Sequence, residues 1–250
     1  MRSPRRVTVA EPPPDSHRSG GASDRVTGSM SPAIHDPAAR GTLRQNPEAH
    51  VKRLHRPDLH CWSVFDESRN LDFHSVLWVR LGGNVAIDPL PLSPHDRKHL
   101  DALGGVALVV ITNSDHTRDA ESLARRWDAR IAGPRAERDG FPFACDLWLG
   151  DGDEPLPGLR VLALEGSKTP GELALLLDGT TLVTGDLVRA HEGGHLTMLP
   201  QPKLRDVAAA ALSVQRLAAL PDIEAVLVGD GWPIFRGAGD ALRELARTLR

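Results

Sequence analysis

Two cysteines in 250 residues, Cys61 and Cys145, are too few for a disulfide framework and point to free thiols in a reducing, cytoplasmic compartment. Long apolar runs are missing as well. A run such as Val106 to Ile111 falls far short of the roughly 20 residues that a membrane span needs, and none is longer. Nor is there an excess of one charge, and a formal net charge of -3 offers no general attraction to nucleic acid or acidic lipid. Tyrosine is absent and lysine scarce, with 4 Lys beside 26 Arg, a bias that has no evident physical cause. A membrane protein, a disulfide scaffold and a basic nucleic-acid binder are thereby set aside. What remains, 40% hydrophobic and 25% charged residues, is ordinary for a globular chain.

Residues 1–56 depart from that average. They carry ten Lys/Arg against five Asp/Glu, and no aromatic residue occurs before Trp62. Pro12-Pro13-Pro14, Gly20-Gly21 and scattered serines interrupt every periodicity, so the stretch cannot bury enough apolar surface to offset its ordering entropy. The expectation is a disordered arm over 1–56 and one folded domain over 57–250.

The folded part alternates strands and helices. Ser75 to Arg80 and Asn84 to Asp88 read as strands joined through Gly82-Gly83. Ser93-Pro94 supplies an N-cap and a first-turn proline for a helix that Gly104-Gly105 stops. Val106 to Ile111 fits a strand buried on both faces, followed by the cap-type residues Thr112 to Asp115 and a helix through Leu123 and Trp127. Further strands are expected at Ala129 to Ala132, Leu159 to Leu164, Leu173 to Leu177, Thr181 to Thr184 and Val226 to Val228. Asp178-Gly179 marks a hairpin, and helices are expected at about 203–220 and 238–249. Hairpins mixed with crossovers favour a layered α/β sandwich over a purely parallel sheet.

Three segments invite a chemical reading. His191-Glu-Gly-Gly-His195 matches H-E-x-x-H, but metal binding by that motif needs a helix, and two central glycines cost such a helix about 2 kcal/mol relative to alanine. A Gly-Gly hairpin loop fits better. Gly166-Ser-Lys-Thr169 lacks the glycine directly before lysine that a phosphate-binding loop requires. The third is a series of polar strand ends: Ile111-Thr-Asn-Ser-Asp-His116, Ser167-Lys-Thr-Pro-Gly171, Thr184-Gly-Asp186 and Val228-Gly-Asp-Gly231. Sites of α/β sheets gather at such ends.

In order and spacing this series resembles the metallo-β-lactamase fold superfamily over about residues 61–249. There a strand-to-helix turn reads H-x-H-x-D-H and is followed by G-H-T-P-G, a G-D after a strand and a terminal G-H-G. The resemblance implies a four-layer αββα sandwich, with Asp115-His116 on the D-H, Ser167 to Gly171 on the second loop, Gly185-Asp186 on the G-D and Gly229-Asp230-Gly231 on the last motif. This chain departs from the pattern at four of the histidines. Ile111 and Asn113 stand in place of the first two, Lys168 replaces the third, and Asp230 replaces the last. A two-metal centre is not expected from such a set.

The ligands left by the match are Asp115, His116, Asp186 and Asp230, an oxygen-rich set for one divalent ion, Zn, Mn or Fe. Asp115 would orient or deprotonate a water, and Lys168 would stabilise an oxyanion. Each residue also has a plain structural role open to it: Asp115 and His116 in a first helical turn, Asp186 and Asp230 in turns. Trp232, close to Asp230, is placed to line a pocket. The expectation is a metal-dependent hydrolase of a small ester, thioester, amide or phosphate, with no nucleic-acid or membrane partner. The alternative is a catalytically degenerate member that binds a ligand or partner. Substrate and oligomeric state are not legible.

Overall fold

The computed structural model describes residues 51–249. Residues 1–50, most of the expected arm, lie outside the described residues. Residues 51–56 belong to the folded part: Val51 is buried, and Lys52–Arg53 (β1) pairs antiparallel with Leu59–Asp66 (β2). The domain therefore begins before residue 57. The basic side chains that suggested an arm stand exposed on an edge strand, where charge is common.

After β2 the chain turns back as Leu71–Trp78 (β3) and continues through Val85–Ile87 (β4), Leu108–Val110 (β5), Arg130–Pro134 (β6) and Leu147–Leu149 (β7). These form a 7-stranded sheet in chain order, antiparallel from β1 to β4 and parallel from β4 to β7. A second sheet begins with Leu159–Leu164 (β8), Glu172–Leu177 (β9) and Thr181–Thr184 (β10). Val188–Glu192 (β11) and His195–Met198 (β12) make a separate ribbon, and Ala225–Val228 (β13) returns to the second sheet beside β10. Its order is β13-β10-β9-β8, with β10 and β13 parallel.

Helices cover the outer faces. Pro94–Ala102 (α1) starts where expected, with the Ser93 hydroxyl accepting from the Asp96 amide. Ala120–Trp127 (α2) packs with α1 on the first sheet through Leu100, Leu123 and Ala124 against Trp62, Leu77, Val109 and Ile111. Val207–Ala218 (α3) and Ala238–Thr248 (α4) cover the second sheet, with Val214, Leu217 and Leu242 against Leu176, Leu182 and Val226. Between the sheets, Leu59, Val76, Ile87 and Val110 meet Leu159, Leu173, Leu175 and Leu227. Fully burying each such side chain contributes about 1.5–3 kcal/mol before entropy is counted. The layers are thus the four of an αββα sandwich, with alternate residues of each central strand facing a partner sheet and a helix pair.

The H-E-x-x-H residues lie on the β11–β12 hairpin, where Glu192 pairs with His195 across the turn. No helical face brings the two imidazoles together, as the glycines predict. The helix expected at 203–220 is shorter, because Gln201–Lys203 forms a separate 3₁₀ turn before α3.

Candidate functional site

Parallel strands bring their C-terminal ends to one rim, and four of them deliver polar residues there: β4 delivers Asp88, β5 the turn from Thr112, β10 Asp186 and β13 Asp230. The two sheets are tied at this rim by the β13 turn. His74 donates its amide to Gly229 O at 2.9 Å, and the Gly231 amide donates to Asp72 O at 3.0 Å. Gly231 has φ +94°, and a Cβ there would come within 2.1 Å of Ala190 O, so the turn requires glycine.

His116 occupies the centre of the rim. It ends a 3₁₀ turn, Ser114–His116, that is capped by Asn113, whose side-chain oxygen accepts from the Asp115 amide at 3.0 Å. Its Nδ1 lies 2.8 Å from Asp88 Oδ2 and 3.1 Å from the Thr112 hydroxyl, and its Nε2 faces Asp186 Oδ2 at 3.7 Å. Asp88 is buried in the left-handed region, φ 47°, which aspartate tolerates better than most residues. It also accepts from the Thr112 amide at 2.8 Å and from its hydroxyl at 2.6 Å. Burial opposes the His116 imidazolium, but the charge of the Asp88 carboxylate, with the hydrogen bonds that the ring donates to Asp186 and Asp88, outweighs it and lifts the pKa to about 9. The two carboxylates thus favour the protonated ring.

Asp186 is its counterpart. Burial works against that carboxylate too, yet His116 and Lys168 hold it far below the usual carboxylate range. The Asn113 amide donates to it at 3.3 Å, and Lys168 Nζ lies 3.8 Å away. Lys168 is also ion-paired with Asp115. Burial alone would lower the lysine's pKa, but the hydrogen bond to Asp115 and the charge of Asp186 raise it. The ammonium thus bridges two carboxylates contributed by different loops.

His116 and Asp186 lie 3.7 Å apart, and Asp115 and Lys168 stand beside them. Asp230 does not join them. Its buried carboxylate is ion-paired with Arg189, whose Nε lies 3.3 Å from Oδ1, and it faces His191 Nε2 at 3.2 Å. A basic side chain from β11 has taken up its charge.

Four participants carried no sequence signal that was read: Asp88, Arg118, Glu172 and Arg189. Arg118 Nη1 donates to the carbonyls of His74 at 2.5 Å and Asp88 at 2.9 Å. Glu172 is fully buried at the start of β9, accepting from Ser167 Oγ at 2.5 Å and the Leu187 amide at 2.8 Å. Burial, reinforced by the Asp186 charge, raises its pKa to about 7. A charged residue at a strand tip or inside an apolar strand was the available clue.

A cavity of about 550 Å³ opens here, lined by Arg69, Phe73, Asp115, His116, Lys168 and Asp186, among others. A divalent ion fits the set poorly. Among the described residues, one imidazole and one free-facing carboxylate converge, whereas a catalytic ion ordinarily takes three protein ligands. An ammonium also stands within 4 Å of that carboxylate. Among the described residues, no three His, Cys, Asp or Glu side chains are arranged to hold a metal ion.

The metallo-beta-lactamase superfamily model matches residues 51–249. The chain belongs to that superfamily. It is 32% identical over 158 residues to a hydroxyacylglutathione hydrolase of Chromohalobacter salexigens, covering 58% of this chain and 56% of that protein. To the enzyme of the same name from Ectopseudomonas mendocina it is 34% identical over 157 residues, covering 58% and 48%. The chain thus spans about half the length of the curated relatives it matches. Among solved structures, a metallo-beta-lactamase from Pontibacter korlensis superposes with a TM-score of 0.62 at 16% identity, covering 80% of this chain and 97% of that one. One from Hirschia baltica gives 0.61 at 14%, covering 81% and 98%. At such identities the superfamily's sandwich is shared, and the sites are compared residue by residue. No helix of the described residues is long and apolar enough to cross a membrane.

Proposed function

We propose that this superfamily member binds a small anionic molecule in the rim cavity, with an ion-pair network in the place of a metal centre. One observation carries the reading: the Lys168 ammonium lies between Asp115 and Asp186, on the loop where the superfamily motif has a histidine. A fixed cation there neutralises the carboxylates that would otherwise attract a dication, and it offers donors to an anion. The catalytic and ligand roles expected for Asp115, His116 and Asp186 become roles in that network, and Asp230 is a structural partner of Arg189.

Hydrolysis is the second reading, favoured by the kinship to hydroxyacylglutathione hydrolases. In it Lys168 would stabilise the developing oxyanion of a small ester or thioester, and Asp115 would orient the attacking water. Zn, Mn or Fe would enter only through His116 and Asp186, a set that lacks further ligands.

The test is metal analysis of untagged protein, together with turnover of generic esters, thioesters and phosphodiesters. We expect no stoichiometric metal, no thermal stabilisation by Zn, Mn or Fe, and background turnover. Lys168→His, which removes the cation and adds a ligand, should raise metal content. An equivalent of metal in the unaltered protein, or turnover abolished by Asp186→Ala, would overturn the binding reading in favour of hydrolysis.

A further inference from the structure

Beside the rim cavity lies a second one, of about 320 Å³, lined by Phe65, Arg69, Asp72, His191 and Trp232, among others. Its walls are unusual for this chain. Aromatic residues are only 4% of the sequence, yet two of them stand exposed here, Trp232 at 66% and Phe65 at 53%. They come from different elements, Phe65 from the end of β2 and Trp232 from the turn after β13. Large apolar side chains left in water on both sides of a cleft are informative where scattered ones are not.

Arg69 lines both cavities. Its guanidinium lies 5.6 Å from the Phe73 ring centroid, and its ion pair among the described residues, to Asp66 at 3.6 Å, is long. Lys168 lines the rim cavity with it, and the two like charges repel, although Asp115 and Asp186 hold the lysine's pKa above its ordinary value. An anion seated there would relieve that repulsion, and a flat apolar group beyond it would cover the two exposed rings.

We propose that the ligand is an aryl carboxylate, its ring between Phe65 and Trp232 and its carboxylate at Arg69 and Lys168. Trp232 and Arg69 are then specificity-determining residues. The cleft is large enough for a one- or two-ring group, within the range of small-molecule pockets. A planar ring can stack on the indole, an arrangement that contributes beyond the buried area. The carboxylate suits the fork of Arg69 better than a neutral group does. This assignment rests on reading the rim as a ligand site, and it adds the chemistry of the ligand's far end.

The experiment is calorimetric titration of the full chain with 2-naphthylacetate, with acetate and 2-naphthylmethanol as probes lacking the ring or the charge. The unaltered protein should bind 2-naphthylacetate, and each truncated probe should bind at least about tenfold more weakly. Trp232→Ala and Arg69→Met, both at exposed positions that leave the core intact, should each weaken 2-naphthylacetate by a similar factor while the unfolding temperature is kept. Binding of 2-naphthylacetate unaffected by Trp232→Ala, or no stronger than that of acetate, would overturn the aryl assignment and leave the rim site itself standing. No binding of any carboxylate would overturn both the aryl assignment and the anion-binding reading of the rim.

Discussion

Around His116 the charged groups face a cavity, whereas around Asp230 they are folded into the protein and matched to one another. Lys168 and Asp115 are both close to half exposed, at 42% and 44%, and the lysine is shared with a second carboxylate. Arg189 and Asp230 are 10% and 4% exposed, and the guanidinium meets both carboxylate oxygens. The difference teaches what exposure does to two ion-pair clusters at strand ends. The open one keeps donors available to a ligand. The buried one is a closed pair that holds the turn after β13 against β11.

The largest effect should come from opening the closed pair. Arg189→Met leaves the Asp230 carboxylate buried without its cation, a change of the kind that costs roughly 3–5 kcal/mol. Urea denaturation should show it as a lower midpoint at unchanged slope. His191, 3.2 Å away, can take up a proton and partly compensate, so the loss should be smaller at pH 6 than at pH 8. Arg189→Met with Asp230→Asn should recover most of it. A loss under about 1 kcal/mol for the single change would mean the pair is no tighter than a surface salt bridge.

The open cluster should reveal itself through pH. His116 is raised from 6.5 to about 9 in the folded protein, so its contribution is complete below pH 6.5 and is lost as pH rises through 9. The loss is on the order of 3 kcal/mol if the whole shift is realised. Glu172, raised from 4.5 to about 7, has the same sign in a lower window: its contribution is complete below 4.5 and lost as pH rises through 7. Stability should therefore decline from pH 5 to pH 9.5, and His116→Gln should flatten the alkaline part. A midpoint that climbs with pH over that range would show that the imidazole is neutral in the fold.

The sandwich was legible because its elements obey local rules. Ser93-Pro94 and Gly104-Gly105 bracket α1, and Asp178-Gly179 turns β9 into β10. β7, β2 and the first half of β3 were not read, since Leu147–Leu149 is short and the β2–β3 hairpin lacks a buried face at its outer end. In the site, the nearness of His116 and Asp186 was implied by the resemblance, which set each on a motif at a strand end. Asp88 escaped notice because a lone aspartate after V-A-I looks like any strand end, and only the parallel pairing of β4 with β5 sets it under His116. Arg189 is a similar case. Its partner lies 41 residues away on another strand end, and neither periodicity nor spacing relates the two.

The smallest effect on stability, and the sharpest test of openness, is Asp115→Asn. Asp115 and Lys168 are too exposed for their pair to contribute more than about 1 kcal/mol, since water screens both groups and two flexible side chains must be ordered. Unfolding should barely change. The lysine, however, loses the nearer of its two carboxylates, and its ammonium becomes available to whatever anion enters the cavity. Affinity for 2-naphthylacetate should then rise by about two- to tenfold, with a steeper dependence on salt, because more of the binding is carried by an exposed charge pair that salt screens. In Lys168→Met the same substitution at Asp115 should have no such effect, since the cation it releases is gone. If Asp115→Asn instead weakens the acid, then Asp115 holds Lys168 in place for the ligand rather than competing with it, and the two clusters differ less than their exposure implies.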